Sequence, residues 1–308
     1  GYAFVRVIPD IDKDEKAKKA KITYKVVFGD KVYINDVIIA GNSRTLDRVI
    51  RREVFLSPGD LYNLVEVKES KKSLSRLGYF ESVNLQEKRV SSDMMDLIIT
   101  VKETQTGSLM VGGGYSSTDG FMVNASISDR NIFGSGLSFQ VSLENSSSTN
   151  RLKLSVTNPR LNDSDYSLST SIYKTDYEGL DYQTSTKGIG ASIGKKLTRH
   201  WTSSIGTSYS IADNQYDDLN GTDADFYIEG ETTRLTVNNT LSFNNTDDYF
   251  NPRNGISFSN FLEHAGFGED QKFTKNTVTF ASFYGFLDQL DFDMIARYKA
   301  RFSVADAD

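Results

Sequence analysis

The sequence predicts a small α+β domain with the element order β-α-α-β-β, followed by an antiparallel transmembrane β-barrel of which about eleven strands are present. The first hundred residues combine strand-like runs with two helical patterns, whereas the remaining two hundred alternate apolar and polar residues without a helical pattern. The composition changes at the same place. Residues 1–104 carry a net charge of +3 and five glycines, and residues 105–308 carry −9 and eighteen glycines. Two kinds of structure therefore share the chain.

The composition excludes several classes of protein. The 308 residues contain no cysteine and only two histidines, which excludes disulfide frameworks, zinc ribbons and thiol catalysis. A net charge of −6 does not favour nucleic-acid binding. No apolar run is long enough for a membrane-spanning helix, and the charged stretch 10–19 is incompatible with a signal peptide. We expect no enzymatic activity, no cofactor, no metal and no nucleic-acid partner.

The first strands are predicted from β-rich runs and the residues that interrupt them. Runs at 2–8 and 20–28 form a predicted hairpin whose charged connection, 10–19, is expected to be a solvated loop. A third strand is predicted over 31–39, stopped by Ala40, Gly41 and Asn42.

Two helices and two strands complete the small domain. Thr45 is expected to cap a helix over 46–54, and a second helix is expected over 63–77 with Gly78 just past its end. Pro58, Gly59 and Asp60 separate the helices. The closing strands are predicted over 80–88 and 94–102.

The strands after Gly107 are long, and their length favours a barrel over a soluble β-sandwich. Alternation alone fits both folds, because any sheet with one buried face shows it. Sandwich strands have about 5–6 residues, whereas a tilted membrane strand has about 9–11, as these runs do. The connections are also unequal: 117–119 and 197–201 are tight, whereas 212–231 is predicted to be a long exposed loop. The sandwich remains the alternative on pattern alone.

Several runs that look like binding or catalytic motifs are better explained as ordinary strands, loops or surface residues. The glycine-rich run 188–195 lacks the spacing of a phosphate loop and alternates as a strand. The aspartate-rich stretch 213–225 lacks the spacing of a calcium loop, so a solvated loop is expected. Asp247 and Asp248 have no histidine beside them to form an acid–base pair. His200 and His264 are expected at strand ends, as surface or interface residues.

An ordered series of short motifs resembles the BamA family of outer-membrane β-barrel insertases, from its last POTRA domain into its barrel. Each motif is weak alone, but their order and spacing along the full chain are specific. They lie at 41–45, 50–53, 74–80, 96–97, 101–103, 106–108, 112–115, 129–136, 157–159 and 248–255.

The resemblance implies a domain organisation and a location. Residues 1–28 would be the closing hairpin of a preceding POTRA domain, 29–104 the last POTRA domain, and 105–308 the N-terminal part of a transmembrane β-barrel. The family's barrel has about sixteen strands, so the chain resembles a fragment, and 302–308 would begin the long sixth extracellular loop. The protein would lie in the bacterial outer membrane with its POTRA region in the periplasm.

The resemblance also implies a function: folding and inserting other barrels into the outer membrane. The partners would be unfolded outer-membrane proteins, accessory outer-membrane lipoproteins and the lipid bilayer. Two alternatives remain open. One is a sibling transporter of the same superfamily that performs two-partner secretion or translocation, and the other is a soluble β-sandwich adhesin. A phospholipase barrel is less favoured, because the sequence lacks a Ser-His arrangement.

Two sets of residues are the candidate sites. The first barrel strand would pair with the substrate's last strand, with its glycines weakening its hold on its own neighbour; the alternative is that these glycines only relieve crowding. The strand comprises Gly107, Ser108, Leu109, Met110, Val111, Gly112, Gly113, Gly114 and Tyr115. The first POTRA helix would offer Arg51, Arg52 and Glu53 to a partner, or else these form a solvated helix face.

Overall fold

A computed structural model describes residues 6–14, 19–28, 31–117, 120–216, 229–248, 251–268, 270–286 and 294–307. The chain divides into two compact units. The first consists of Gly1–Thr106 and Phe133–Ser135, and the second of Gly107–Ile132 and Gly136–Asp308.

The first unit contains a hairpin and an α+β domain. Its elements are β1 (Arg6–Asp14), β2 (Lys19–Val27), β3 (Tyr33–Ala40), α1 (Asp47–Arg51), α2 (Leu64–Arg76), β4 (Phe80–Arg89) and β5 (Met94–Glu103). Strand β5 lies between β3, to which it is parallel, and β4, to which it is antiparallel. The predicted β-α-α-β-β order is confirmed.

The core of this domain lies between the three-stranded sheet and the two helices. Ile50 of α1 and Leu74 of α2 are fully buried with Leu97 and Ile99 of β5. Helix α2 begins as predicted, because the Asn63 side chain accepts a hydrogen bond from the Val65 N–H at 3.0 Å.

Two expectations for the first unit are wrong in detail. Helix α1 spans only Asp47–Arg51, and its N-cap residue is Leu46 rather than Thr45, whose N–H bonds to Glu103 instead. Strands β1 and β2 also extend into the charged stretch expected to be a loop, where the antiparallel ladder continues to the pair of Asp14 with Lys19. The expected strand residues 2–5 lie outside the described residues.

The second unit is a single eleven-stranded antiparallel sheet in which every strand pairs with its neighbours in sequence. The strands are β6 (Gly107–Ser116), β7 (Gly120–Ile132), β8 (Leu137–Asn145), β9 (Thr149–Asn158), β10 (Tyr166–Glu178), β11 (Tyr182–Lys196), β12 (Trp201–Tyr216), β13 (Gly230–Asn244), β14 (Gly255–Ala265), β15 (Phe273–Gly285) and β16 (Ile295–Ala307). The predicted number of strands is confirmed. One continuous sheet excludes the alternative of a two-sheet sandwich.

The sheet has one apolar and one polar face. In the pair β6–β7, Leu109 lies opposite Ile127 on the apolar face, and Ser108 lies opposite Ser128 on the polar face. The apolar face is exposed, as a lipid-facing surface requires: Ile189 of β11 is 57% exposed and Ile205 of β12 is 62% exposed. No helix in the described part of the chain is long and apolar enough to cross a membrane.

Two predicted loops are partly strand. Strand β12 runs to Tyr216 and β13 begins at Gly230, so only the middle of the expected loop 212–231 remains, and residues 217–228 of it lie outside the described residues. Strand β16 continues to Ala307, where the beginning of a long loop was expected after Phe302. In both places the backbone ladder with the neighbouring strand continues, as in the pairs of Asn214 with Gly230 and of Ala307 with Phe273.

Candidate functional site

Strand β6, which contains all nine candidate strand-pairing residues, lies at an edge of the eleven-stranded sheet. It pairs with β7 in a regular register from Gly107 opposite Asp129 to Ser116 opposite Gly120. Within the described ranges, no strand pairs with its other side. Leu109 and Val111 are each 72% exposed. An edge of this kind presents a row of backbone N–H and C=O groups that another strand can bind.

The three consecutive glycines of β6 do not relieve crowding among the described residues. A Cβ atom at Gly112 would meet nothing within 4 Å, and one at Gly113 would lie 3.5 Å from the Met122 carbonyl oxygen, an ordinary contact. At Gly114 the nearest atom is the Met122 methyl, at 3.8 Å. None of the three has a positive φ. Neither space nor backbone conformation therefore requires glycine here.

The three candidate POTRA residues do not form one exposed surface. Arg51, the last residue of α1, is exposed, but its guanidinium bonds to Asp47 at 3.0 Å and to the Val37 carbonyl at 3.3 Å. Arg52 caps the helix and buries its Nε and Nη2 atoms. Glu53 lies beyond the helix and is only 5% exposed, where it accepts a hydrogen bond from the Ser73 hydroxyl at 2.6 Å. Of the three, Arg51 alone is exposed.

A carboxylate that the sequence analysis missed organises the loop between β3 and α1. Glu103, the last residue of β5, accepts hydrogen bonds from the N–H groups of Ser43 (3.1 Å), Arg44 (3.0 Å) and Thr45 (2.6 Å), and from the Ser43 hydroxyl (2.8 Å). Partial burial by itself would raise the pKa of Glu103, but these bonds outweigh it and lower the pKa to about 2. Nothing local in the sequence signals this contact, because the partners are about sixty residues apart.

Gly41 allows this loop to lie against β5. Its φ is +89°, and a Cβ atom there would lie 2.0 Å from the Val101 carbonyl oxygen. Only glycine fits such an approach in this conformation.

The residues considered as possible motifs have structural roles. The run 188–195 lies within β11. The Asp247 carboxylate accepts N–H bonds from Asp248, Arg253 and Asn254, which organises the turn between β13 and β14. In the described part of the chain, no group of three or more His, Cys, Asp or Glu residues is placed to hold a metal ion.

Two models of known protein families match the chain and show which family it belongs to. The sequence model described as the Omp85 superfamily domain matches residues 131–306, and the POTRA model, described as a surface antigen variable number repeat, matches residues 32–104. The chain belongs to the Omp85 superfamily. The resemblance inferred from the motifs is thereby confirmed, with the POTRA-plus-barrel fold that it implied.

Omp85 relatives include proteins named outer membrane protein assembly factor BamA. The one from Neorickettsia risticii is 31% identical over 294 residues, 94% of this chain and 39% of its own length. The one from Nitratidesulfovibrio vulgaris is 31% identical over 289 residues, 92% of this chain and 36% of its own. The chain thus spans about two fifths of the length of the curated relatives it matches.

Solved Omp85 structures share the fold. BamA from Haemophilus ducreyi lacking POTRA domains 1–3 matches all of this chain and 62% of its own, with a TM-score of 0.73 and 22% identity. CdiB from Acinetobacter baumannii matches all of this chain and 57% of its own, with a TM-score of 0.59 and 15% identity.

Proposed function

We propose that this chain belongs to a non-enzymatic protein that folds and inserts β-barrel proteins into the bacterial outer membrane, with β6 as the template strand. Its location is the outer membrane, with the POTRA domain in the periplasm. The relatives named as outer membrane protein assembly factors support this function. The observation that carries it is the 31% identity with these assembly factors over 92–94% of the chain, in which β6 is the first strand of the barrel unit.

The physical need for a template comes from the lipid. A barrel strand that enters the bilayer with an unpaired edge leaves backbone groups without partners, at a cost of several kcal/mol each. Pairing with the β6 edge removes that cost by strand addition. The glycines 112–114 support an exchange of partners, because a strand without side chains at these positions holds its own neighbour β7 less tightly.

Crosslinking tests the template strand. A photo-crosslinker at Leu109 or Val111 is expected to form adducts with a barrel substrate stalled during assembly. The matched control is Ile189, which is exposed on the same apolar face but lies on β11, a strand paired on both sides. Absence of adducts along β6, or equal adducts from Ile189, would contradict the proposal.

The POTRA domain is proposed to dock extended substrates and accessory lipoproteins in the periplasm. Strands β3 and β4 are the edges of its sheet among the described residues, and Arg51 is the exposed member of the predicted contact residues. Arg51→Glu is expected to reduce co-purification of accessory lipoproteins. The control is Lys71→Glu, the same charge change at an exposed position on α2. Glu53 is unsuitable for this test, since reversing a buried charge would destabilise the domain itself.

The second candidate function is two-partner secretion, favoured by the fold match to CdiB. Depletion of the protein separates the two functions. Loss of many outer-membrane barrels supports assembly, whereas loss of one secreted partner with normal barrel content supports secretion.

A further inference from the structure

A lysine on the apolar face of the eleven-stranded sheet lies beside two aromatic residues. Lys195, near the end of β11, lies directly opposite Tyr166 of β10, and its Nζ atom is 4.8 Å from the centroid of the Tyr166 ring. On its other side Lys195 lies opposite Ser203 of β12, so Trp201 is its diagonal neighbour on the same face. Tyrosine and tryptophan are the residues that concentrate at membrane–water interfaces.

Trp201 begins a row of aromatic residues that crosses four strands. The register places Trp201, Phe243, Phe258 and Phe280 side by side on the apolar face. The Trp201 ring centroid is 5.0 Å from that of Phe243 and 6.5 Å from that of Phe258. Aromatic rows of this kind mark the level at which a barrel crosses the membrane–water interface. Lys195 therefore lies at such an interface.

The turn between β11 and β12 places a second cation next to this row. Arg199 is exposed on the turn. The turn has a fixed shape, because the Thr198 hydroxyl accepts the N–H groups of His200 at 3.4 Å and of Trp201 at 3.2 Å. The His200 Nδ1 atom also lies 3.0 Å from the Asn244 carbonyl oxygen, which ties the turn to β13.

The charge around these two cations is positive. Residues 195–201 contain two lysines and one arginine but no acidic residue. The neighbouring turn, 159–165, contains Asp163 and Asp165, and Asp165 forms an ion pair with Arg160. With four cations and two carboxylates, the two segments carry a net charge of +2, which suits an anionic ligand.

These residues belong to the periplasmic side of the barrel. Strand β6 follows the POTRA domain, and antiparallel strands alternate in direction, so β11 ends and β12 begins on the side where β6 begins. Lys187, at the other end of the same apolar run of β11, is about 26 Å away along the strand, or about 20 Å across the membrane at the usual tilt. Lys187 and Lys195 therefore face opposite leaflets.

We propose that Lys195 and Arg199 bind the phosphate of an anionic phospholipid headgroup in the periplasmic leaflet, with Tyr166 and Trp201 against the glycerol and the upper acyl chains. Basic side chains attract anionic lipid at a membrane surface, and arginine binds phosphate through two parallel hydrogen bonds. A zwitterionic headgroup carries its own ammonium, so the site favours the anionic lipid. The inference goes beyond the proposed function: it rests on the membrane location and needs no barrel substrate.

Quenching of tryptophan fluorescence by brominated lipids measures this preference, since Trp201 is the one tryptophan of the 308 residues. The folded protein, with any tryptophan outside these residues replaced by Phe, is reconstituted in phosphatidylcholine membranes. Phosphatidylglycerol or phosphatidylcholine brominated near the top of the acyl chain is then added in equal amounts. The parent is expected to bind phosphatidylglycerol about five- to tenfold more tightly than phosphatidylcholine.

Lys195→Gln and Arg199→Gln should each lower this preference about two- to threefold, and the double variant should abolish it, because the charge that attracts the headgroup is lost. Lys195→Arg keeps the charge and should keep the preference. The matched control is Lys187→Gln, the same change on the same strand at the opposite leaflet. Lys187 has Asp176 and Asp213 as diagonal neighbours, so this variant should leave the preference unchanged.

The shift of gel mobility on heating shows that each variant forms a folded barrel. Equal quenching by both lipids in the parent would overturn the inference, as would a preference that survives in the double variant or that Lys187→Gln lowers as much as Lys195→Gln does. A parent protein that selects phosphatidylglycerol but inserts no barrels contradicts the proposed function alone.

Discussion

The close approach of Gly41 to β5 can be tested by adding a single methyl group at this residue. Gly41→Ala is expected to destabilise the POTRA domain by about 2–4 kcal/mol, since its Cβ would overlap the Val101 carbonyl oxygen in a left-handed backbone conformation. The control is Gly59→Ala: φ there is +93°, but a Cβ would meet nothing within 4 Å, so only about 1 kcal/mol of backbone strain is expected. Urea unfolding followed by helical circular dichroism measures both. Equal losses would show that the close approach is unimportant.

The Glu103 carboxylate makes the stability of the same domain depend on pH. Its pKa is about 2 when folded, against an ordinary value of 4.5, so the folded state binds the proton less tightly than the unfolded chain does. The stabilisation is therefore fully present above about pH 4.5 and is lost as the pH falls through about 2. Because the side chain is partly solvated, we expect about 1–2 kcal/mol rather than the full value of the shift.

Urea unfolding of the parent and of Glu103→Gln at about pH 7 and about pH 3 measures this contribution. The stability difference between the two proteins should shrink at the lower pH, since the neutral Gln side chain mimics the protonated carboxyl. A difference that stays constant between these pH values would show that the carboxylate charge is not what binds the loop.

At the scale of elements, replacing a glycine of β6 is expected to slow barrel assembly without lowering the stability of the sheet. Gly112→Val places a β-branched side chain in open space, so the sheet should keep its stability or gain a few tenths of a kcal/mol. Barrel assembly should slow several-fold, because the strand releases β7 less readily. Ala191→Val places the same residue on the opposite, apolar face of the internal strand β11 and should leave assembly unchanged. Unchanged assembly in Gly112→Val would contradict a role for the glycines in strand exchange.

The elements that sequence reasoning located well are those whose signals are local. Asn63 and Gly78 flank α2 directly and mark its two ends, and strict alternation marks the eleven barrel strands. Helix α1 was misjudged because Thr45 bonds to Glu103 at the far end of the domain. Strand ends beyond the apolar band were missed for a related reason: backbone pairing with a neighbour, as for Tyr216 with Tyr182, continues where alternation of apolar residues has stopped.

In the candidate sites too, sequence reasoning identified features with local signals and missed contacts between distant residues. The position of β6 as the first strand of the sheet was predictable, since it follows from order along the chain; its role as a template stays a prediction. The burial of Glu53 and the role of Glu103 were not predictable, because each depends on a partner from a different element, Ser73 in one case and the Ser43–Thr45 loop in the other. From the sequence, Glu53 and Glu103 are recognisable only as charged residues, and nothing indicates that either carboxylate is bound within the domain.

For the molecule as a whole, the boundary after residue 28 remains a prediction that deletion can test. The buried core of the POTRA domain runs from Val32 to Val101 and includes no residue of the hairpin among those described. One hairpin face presents apolar side chains to solvent, with Ile11 52% exposed and Tyr24 64% exposed. A two-stranded hairpin with an uncovered apolar face has little stability of its own.

Deletion of residues 1–28 should therefore change the free energy of unfolding of the POTRA domain by less than about 0.5 kcal/mol. Ile34→Ala, which empties a fully buried position of β3, calibrates the same urea measurement with an expected loss of about 2–5 kcal/mol. If the deletion costs as much as Ile34→Ala, the hairpin is part of the POTRA fold and the boundary is wrong. If it costs nothing, the hairpin is not part of the POTRA fold and the predicted boundary stands.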